Sequence, residues 1–282
     1  MFAEHEVCIF TRRAGQAEAI CKKGITVRSG EGDFTARVQA NIAEEAAKSK
    51  CRIYIIAVKQ YKLEELHPVL SRLDPSSVLI FLQNGMGHLE FMESLPHKTI
   101  ITGSVEHGAA RISDTEVRHN GIGVTNVALY RGESTALDLA SGSSIPNFPY
   151  TVHGDWRKML EMKLLVNAAI NPLTAVMGVE NGGLIENPHC QSLFSRLICE
   201  LSSVYTAYDK TELSEKIRGI CISTRDNISS MKSDLDHGRR TEIEAILGPV
   251  RTKAQLARVR IPLTDALYEL VKGMEYERGL RP

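Results

Sequence analysis

The feature that most constrains this chain is a change of period part-way along it. Residues 6–11, 52–58, 77–82 and 99–105 are short runs rich in β-branched and other apolar residues, and helical stretches at 14–23, 63–73 and 89–95 separate them. Apolar strands alternating with helices are the sequence form of βαβ units on a mostly parallel sheet. Between 116 and 129 the pattern predicts a hairpin around Asn120-Gly121-Ile122-Gly123. A Ser, Gly, Asn and Pro-rich stretch at 141–150 reads as a linker, and beyond 155 every periodic stretch is helical. The expectation is an α/β domain over 1–148 and an all-helical domain over 149–282. A chain of 282 residues is long enough for two cores.

Charge excludes several classes of function. Lys plus Arg and Asp plus Glu stand at 34 each, so no global field draws the protein to nucleic acid or to an anionic membrane. Apolar runs such as 53–58 are far too short to span a bilayer, and the first residues lack the basic-then-apolar pattern of a secretion signal. Cys8, Cys21, Cys51, Cys190, Cys199 and Cys221 are scattered without metal-ligand spacing. They read as free thiols of a cytoplasmic protein that uses no metal.

The most chemical stretch is Lys163-Leu164-Leu165-Val166-Asn167-Ala168-Ala169-Ile170-Asn171-Pro172. Its lysine and two asparagines stand at i, i+4 and i+8, a drift of about 40° per step on a helix, so the three polar heads share one face. Such a row set in apolar sequence suits a small, anionic, oxygen-rich guest, because polar groups buried without partners are penalised. The same spacing also suits a polar stripe facing water. Pro172 is expected to end or kink the helix just after Asn171 and turn that side chain into a cleft.

An open α/β sheet binds ligands beyond the carboxyl ends of its strands. The first strand runs into Arg12-Arg13, where an acid would take ribose hydroxyls and arginine suits a 2′-phosphate; solvated charge is the alternative. Later strand ends lead into Lys59-Gln60 and into Gln83-Asn84-Gly85-Met86-Gly87, whose glycines let backbone approach a ligand or simply make a turn. No Gly-x-Gly-x-x-Gly lies between the first strand and first helix. The chain therefore reads as one that starts after its phosphate loop, and the strands flanking the missing one are expected to carry open apolar edges.

A second cluster is Asn227-Ile228-Ser229-Ser230-Met231, followed by Arg239-Arg240-Thr241-Glu242-Ile243. Helical spacing does not decide whether Ser230 and Glu242 converge, and a run of arginines can be a solvated face. Taken together, Lys163 with Asn167, the Asn-Pro-Leu-Thr-Ala run at 171–175, Gln-Asn-Gly-Met-Gly at 83–87, Asn-Ile-Ser-Ser-Met at 227–231 and Arg-Arg-Thr-Glu-Ile at 239–243 resemble the ketopantoate reductase family. The His-Gly-Ala-Ala-Arg run at 107–111 and Tyr-Glu-Arg at 276–278 are similar to it too.

The resemblance implies a Rossmann-type NADP-binding domain and a helical C-terminal domain like that of 6-phosphogluconate dehydrogenase, with the active site in the cleft between them. It implies reduction of 2-dehydropantoate, a small 2-keto acid, to (R)-pantoate by NADPH in pantothenate biosynthesis. By the same resemblance Lys163 is the general acid, and Glu242 assists at the nicotinamide and substrate end. Asn167, Asn171, Asn181 and Ser230 contact substrate with Asn227 close by, and Arg12, Lys59, Asn84 and Ala109 contact the cofactor. Apolar faces on the helical half suit a homodimer. Two alternatives stand beside this reading: a relative that does not hold the dinucleotide, motivated by the absent loop, and a reductase of another branched 2-keto acid.

Overall fold

The apolar runs of the first half form the parallel strands that their composition requires. The protein is described here by a computed structural model covering residues 6–137 and 147–280; most of the expected linker lies outside the described residues. The chain divides into two units, one of residues up to Val58, Lys62–Gln83 and Glu90–Met159, the other of Lys59–Tyr61, Asn84–Leu89 and the chain from Leu160 on.

In the first unit β5 (Ile53–Ile56), β6 (Val78–Phe81) and β7 (Thr99–Val105) run parallel, with Ile53 opposite Val78 and Val78 opposite Thr99. Leu79, Phe81, Ile100 and Ile101 are fully buried, as central parallel strands covered on both faces must be. Strand β10 (Thr125–Arg131) lies antiparallel to β7, and β11 (Tyr150–His153) completes a five-stranded sheet in the order β11-β10-β7-β6-β5.

The hairpin expected within 116–129 does not form. Strand β9 (Glu116–Gly121) pairs instead with β8 (Gly108–Arg111) and β2 (Ile25–Ser29) in a separate sheet of order β3-β2-β9-β8, where β3 is Phe34–Ala36. The chain passes from that sheet to β10 at Gly123, pressed against the Glu106–His107 peptide so closely that a Cβ would fall 2.3 Å from the Glu106 carbonyl. The glycine serves this contact rather than a two-residue turn.

Strand β1 (Cys8–Thr11) pairs in parallel with β4 (Gln39–Ile42), and helix Ala14–Lys23 covers the pair through Ala17 and Ile20. The 3-10 helix Ala43–Lys48 follows, and the Tyr54 hydroxyl of β5 reaches its end at Ser49 Oγ, 2.9 Å away. Among the described residues the β1–β4 pair and the five-stranded sheet are separate, with β1 and β5 each unpaired on one side. Val7, Ile55 and Val58 are exposed.

In the second unit helices span Gly183–Glu186, Pro188–Val204, Lys210–Ser223, Ser230–Asp236, Ile243–Ala257 and Pro262–Glu277. Side chains of Asn187, Asp209 and Ser229 cap three of them by accepting from backbone N–H groups one turn in. They pack around helix Trp156–Met177, whose Leu164, Leu165, Ala168, Ala169 and Leu173 are wholly buried. Pro172 does not end this helix, which runs on to Met177, so Asn171 is not at its end. The ring removes the N–H that Ala168 O would otherwise accept, and burial of the surrounding turn outweighs the lost bond. No helix among the described residues is long and apolar enough to cross a membrane.

Candidate active site

Helix Trp156–Met177 carries Lys163, Asn167 and Asn171 on one face, with Lys163 half-buried and both asparagines buried. Asn181 follows on the loop after that helix. Its backbone N–H donates to Asn227 O at 3.1 Å, and its Nδ2 donates to Thr224 Oγ1 at 2.9 Å. Thr224 Oγ1 in turn donates to Ile220 O at 2.6 Å, so its lone pairs face Asn181, which fixes the amide orientation. That leaves Asn181 Oδ1 buried without a donor. A buried acceptor of this kind can take an O–H or N–H from water or from a ligand.

The Ser229 hydroxyl lies 2.7 Å from that of Thr174 and caps helix Ser230–Asp236. This contact docks the Asn-Ile-Ser-Ser-Met run onto the helical turn that bears Asn171. Ser229 is the buried member of the pair; Ser230 and Asn227 are exposed.

The second cluster folds differently from a solvated arginine face. Arg240 lies over the Tyr61 ring at 4.7 Å, and Arg239 Nε donates to Asp234 Oδ1 at 2.9 Å. Glu242 is buried just ahead of helix Ile243–Ala257. Its Oε2 accepts from Lys59 Nζ and from Asn84 Nδ2, each at 3.0 Å, and its Oε1 lies 3.5 Å from the Gln60 N–H. Lys59 also donates to Asp234 Oδ2 at 3.2 Å. Burial alone would push the Lys59 ammonium down, but the Glu242 and Asp234 carboxylates outweigh it and hold it above the usual lysine range.

Gly85, next to Asn84, has φ +77°, and a Cβ on it would lie 2.0 Å from Ala245 O. The close approach foreseen for the Gln-Asn-Gly-Met-Gly run is thus to protein backbone in the helix behind Glu242. Thr241 is fixed by Glu275, whose Oε1 accepts from both its N–H and its hydroxyl at 2.7 Å.

Lys59, Asn84 and Glu242 therefore converge, and Lys163, Asn167 and Asn171 share one buried row. Asp234 and Glu275 escape sequence reasoning: each is an ordinary polar residue whose partner at the site, Lys59 or Thr241, lies far along the chain. In the first unit Arg12 is exposed just past β1 and makes no ion pair among the described residues, whereas Arg13 is tied to Asp114. Ala109 is exposed on β8.

An unpaired guanidinium at the end of a parallel strand fits a phosphate ester, and the Asn84–Glu242 pair fits an amide or a ribose hydroxyl. No group of three or more His, Cys, Asp or Glu among the described residues could hold a metal ion.

Residues 1–132 match the family described as ketopantoate reductase PanE/ApbA, and residues 155–275 match its C-terminal part. The chain belongs to the ketopantoate reductase family. It is 38% identical over 275 residues to the 2-dehydropantoate 2-reductase of Listeria innocua, covering 97% of this chain and 90% of that one. It is 34% identical to that of Bacillus subtilis over 96% of this chain and 90% of the relative.

The crystal structure of the probable 2-dehydropantoate 2-reductase from Bacillus subtilis superposes with a TM-score of 0.86 at 33% identity, over 96% of this chain and 92% of the other. D-mandelate dehydrogenase, solved with NADH and anilino(oxo)acetate, shares the fold at TM-score 0.89 and 21% identity, over 98% and 93% of the two chains. The family read from the motifs is the one these matches give, and a nicotinamide-dependent oxidoreductase follows from it.

Proposed function

We propose that this chain reduces 2-dehydropantoate to (R)-pantoate with NADPH. The observation that carries the reading is one helix face with half-buried Lys163 and buried Asn167 and Asn171, together with buried Asn181 on the following loop, whose Oδ1 has no donor within the protein. The hydroxyl of 2-dehydropantoate supplies that donor. A branched 2-keto acid without it would leave the oxygen unsatisfied, a penalty that selects strongly against such analogues.

The bound nicotinamide supplies the hydride for C2 of the keto acid. Lys163 holds the proton that neutralises the ketone oxygen as negative charge builds on it, and its ammonium stabilises that charge beforehand. Asn167, Asn171, Asn181 and Ser230 orient the carboxylate and hydroxyl of the substrate, with Asn227 holding the Asn181 backbone. Asn84, Lys59 and Glu242 hold the nicotinamide end of the cofactor, Ala109 contacts it, and the Arg12 guanidinium selects the 2′-phosphate of NADPH over NADH.

The reading places the enzyme in the cytoplasm. It also assigns the exposed Leu256 and Leu270 of the helical unit to a homodimer contact. One observation favours a second reading, a relative that does not bind the dinucleotide: among the described residues no glycine-rich loop joins β1 to the helix that follows it, the position from which a doubly wound sheet holds pyrophosphate. A titration of the protein with NADPH followed by calorimetry separates the two.

The deciding experiment is NADPH oxidation dependent on 2-dehydropantoate. Turnover is expected with the hydroxylated acid and far less with its counterpart lacking the hydroxyl. Lys163→Ala should lower kcat by roughly two to four orders of magnitude, the scale of a positioned acid. A Lys163→Ala rate equal to wild type ends the assignment of Lys163, and equal rates with both acids end the assignment of substrate.

A further inference from the structure

Two buried carboxylates meet on one ammonium in the helical unit. Asp234 and Glu242 are each 6% exposed, and both accept from Lys59 Nζ, at 3.2 and 3.0 Å. The family motifs single out Lys59 and Glu242; nothing in them singles out Asp234. Its surroundings do.

Asp234 lies on helix Ser230–Asp236, which is anchored at its start by the Ser229–Thr174 contact. Beyond that helix the chain reverses at Gly238, and Arg239 returns to Asp234 twice: its N–H donates to Asp234 O at 2.7 Å, and its Nε to Oδ1 at 2.9 Å. Asp234 is thus held by a closed turn, and both of its carboxylate oxygens are engaged. Glu242 differs. Its Oε2 is taken by Lys59 and Asn84, while Oε1 has only the long 3.5 Å approach of the Gln60 N–H.

Lys59 sits on a flexible stem and has a choice of acceptors, so its ammonium needs a fixed anchor before it can fix anything else. Two like charges brought this close also need the cation between them, since an uncompensated buried charge is costly. Arg239 and Arg240 are the other charged groups on the adjoining turn; the first is bound to Asp234 and the second is stacked on Tyr61.

We propose that Asp234 is a positioning residue of this site: it anchors the Lys59 ammonium, and through it sets the Glu242 carboxylate with Oε1 left open for a ligand. The anchor stands on geometry; only the identity of the ligand rests on the reductase reading above.

The test uses the full chain with labelled lysine, following the Lys59 Nζ resonance, identified by its loss in Lys59→Met. In Asp234→Asn the Lys59 titration midpoint should fall, because one of its two anions is gone while its burial remains. In the same variant kcat/KM for the keto acid should drop by roughly tenfold to a hundredfold, the scale of a misplaced group. Asp234→Glu, which keeps the charge, should restore the titration and much of the rate.

Adding Asp234→Asn to Glu242→Gln should cost no further activity, because the first residue acts through the second. A residue that acts independently of Glu242 would multiply with Glu242→Gln, and one that does not hold the ammonium would leave the Lys59 midpoint in place. Either of those results overturns the proposal. If Lys59 moves as expected while the wild-type chain fails to reduce 2-dehydropantoate, the anchor stands and the reductase reading falls.

Discussion

At the scale of single residues, burial without water decides what a side chain can do. His88 illustrates this away from the chemistry. It is fully buried, and burial pushes its imidazole down to about 4 from an ordinary value of 6.5. The sign follows directly. The folded protein keeps His88 neutral across the interval in which the unfolded chain takes up a proton, so stability is full above pH 6.5 and falls as pH drops towards 4. Between pH 7.5 and 4.5 this one group should remove about 2–3 kcal/mol.

Urea denaturation of wild type and His88→Gln at the two pH values isolates the contribution, since the carboxylates are common to both. Parallel losses in the two proteins would show that His88 does not titrate in this way. The candidate site was legible to the same degree that local geometry fixes it. Lys163, Asn167 and Asn171 could be grouped because a helix sets their spacing, whereas Asp234 and Glu275 could not, because their partners Lys59 and Thr241 are far off in sequence.

At the scale of elements, the parallel strands and long helices were readable because each is held by a run of buried apolar residues with a clear period. The elements that escaped lack such a run. Strands β2, β3 and β4 are short, mixed in polarity and at most half-buried apart from Ala40, so their pairing is set by neighbours rather than by composition. The Asn-Gly signal at 120–121 failed as a hairpin because the strands around it belong to different sheets.

Loop 84–89 shows how an element can be fixed by contact instead of period. Gly85→Ala would place a methyl group into the Ala245 carbonyl and force a positive φ on an L side chain. A loss of about 3 kcal/mol is expected, with Asn84 drawn off Glu242 and activity falling alongside. Gly87→Ala is the control, because its Cβ would meet only the end of the flexible Gln60 side chain at 3.0 Å. That variant should lose less than about 1 kcal/mol. Similar losses by chemical denaturation in both would mean that the Gly85 contact with helix Ile243–Ala257 is not the constraint.

At the scale of the whole molecule, the parallel strands of the first unit stand in separate sheets among the described residues. Strands β1 and β5 each offer one unpaired edge, and apolar Val7, Ile55 and Val58 are exposed. Unpaired edges flanked by apolar surface either take up a strand or drive association between chains. A doubly wound sheet would set two such edges on either side of one strand, and the segment that fits there is a parallel strand followed by a glycine-rich loop and a helix. Such a segment would pair with both edges at once, cover Ile55, and bring backbone N–H groups and a helix N-terminus to a pyrophosphate.

An extension of the chain carrying a short apolar strand, Gly-x-Gly-x-x-Gly and an amphipathic helix should raise Tm by several degrees and tighten NADPH binding. It should also protect the β1 and β5 amides in hydrogen exchange. The same extension with its strand residues changed to Asp and Lys should do none of this. If the apolar extension leaves Tm, exchange and NADPH affinity unchanged, the two edges are not a slot for one strand, and the separation of β1–β4 from the five-stranded sheet is a property of the fold in its own right.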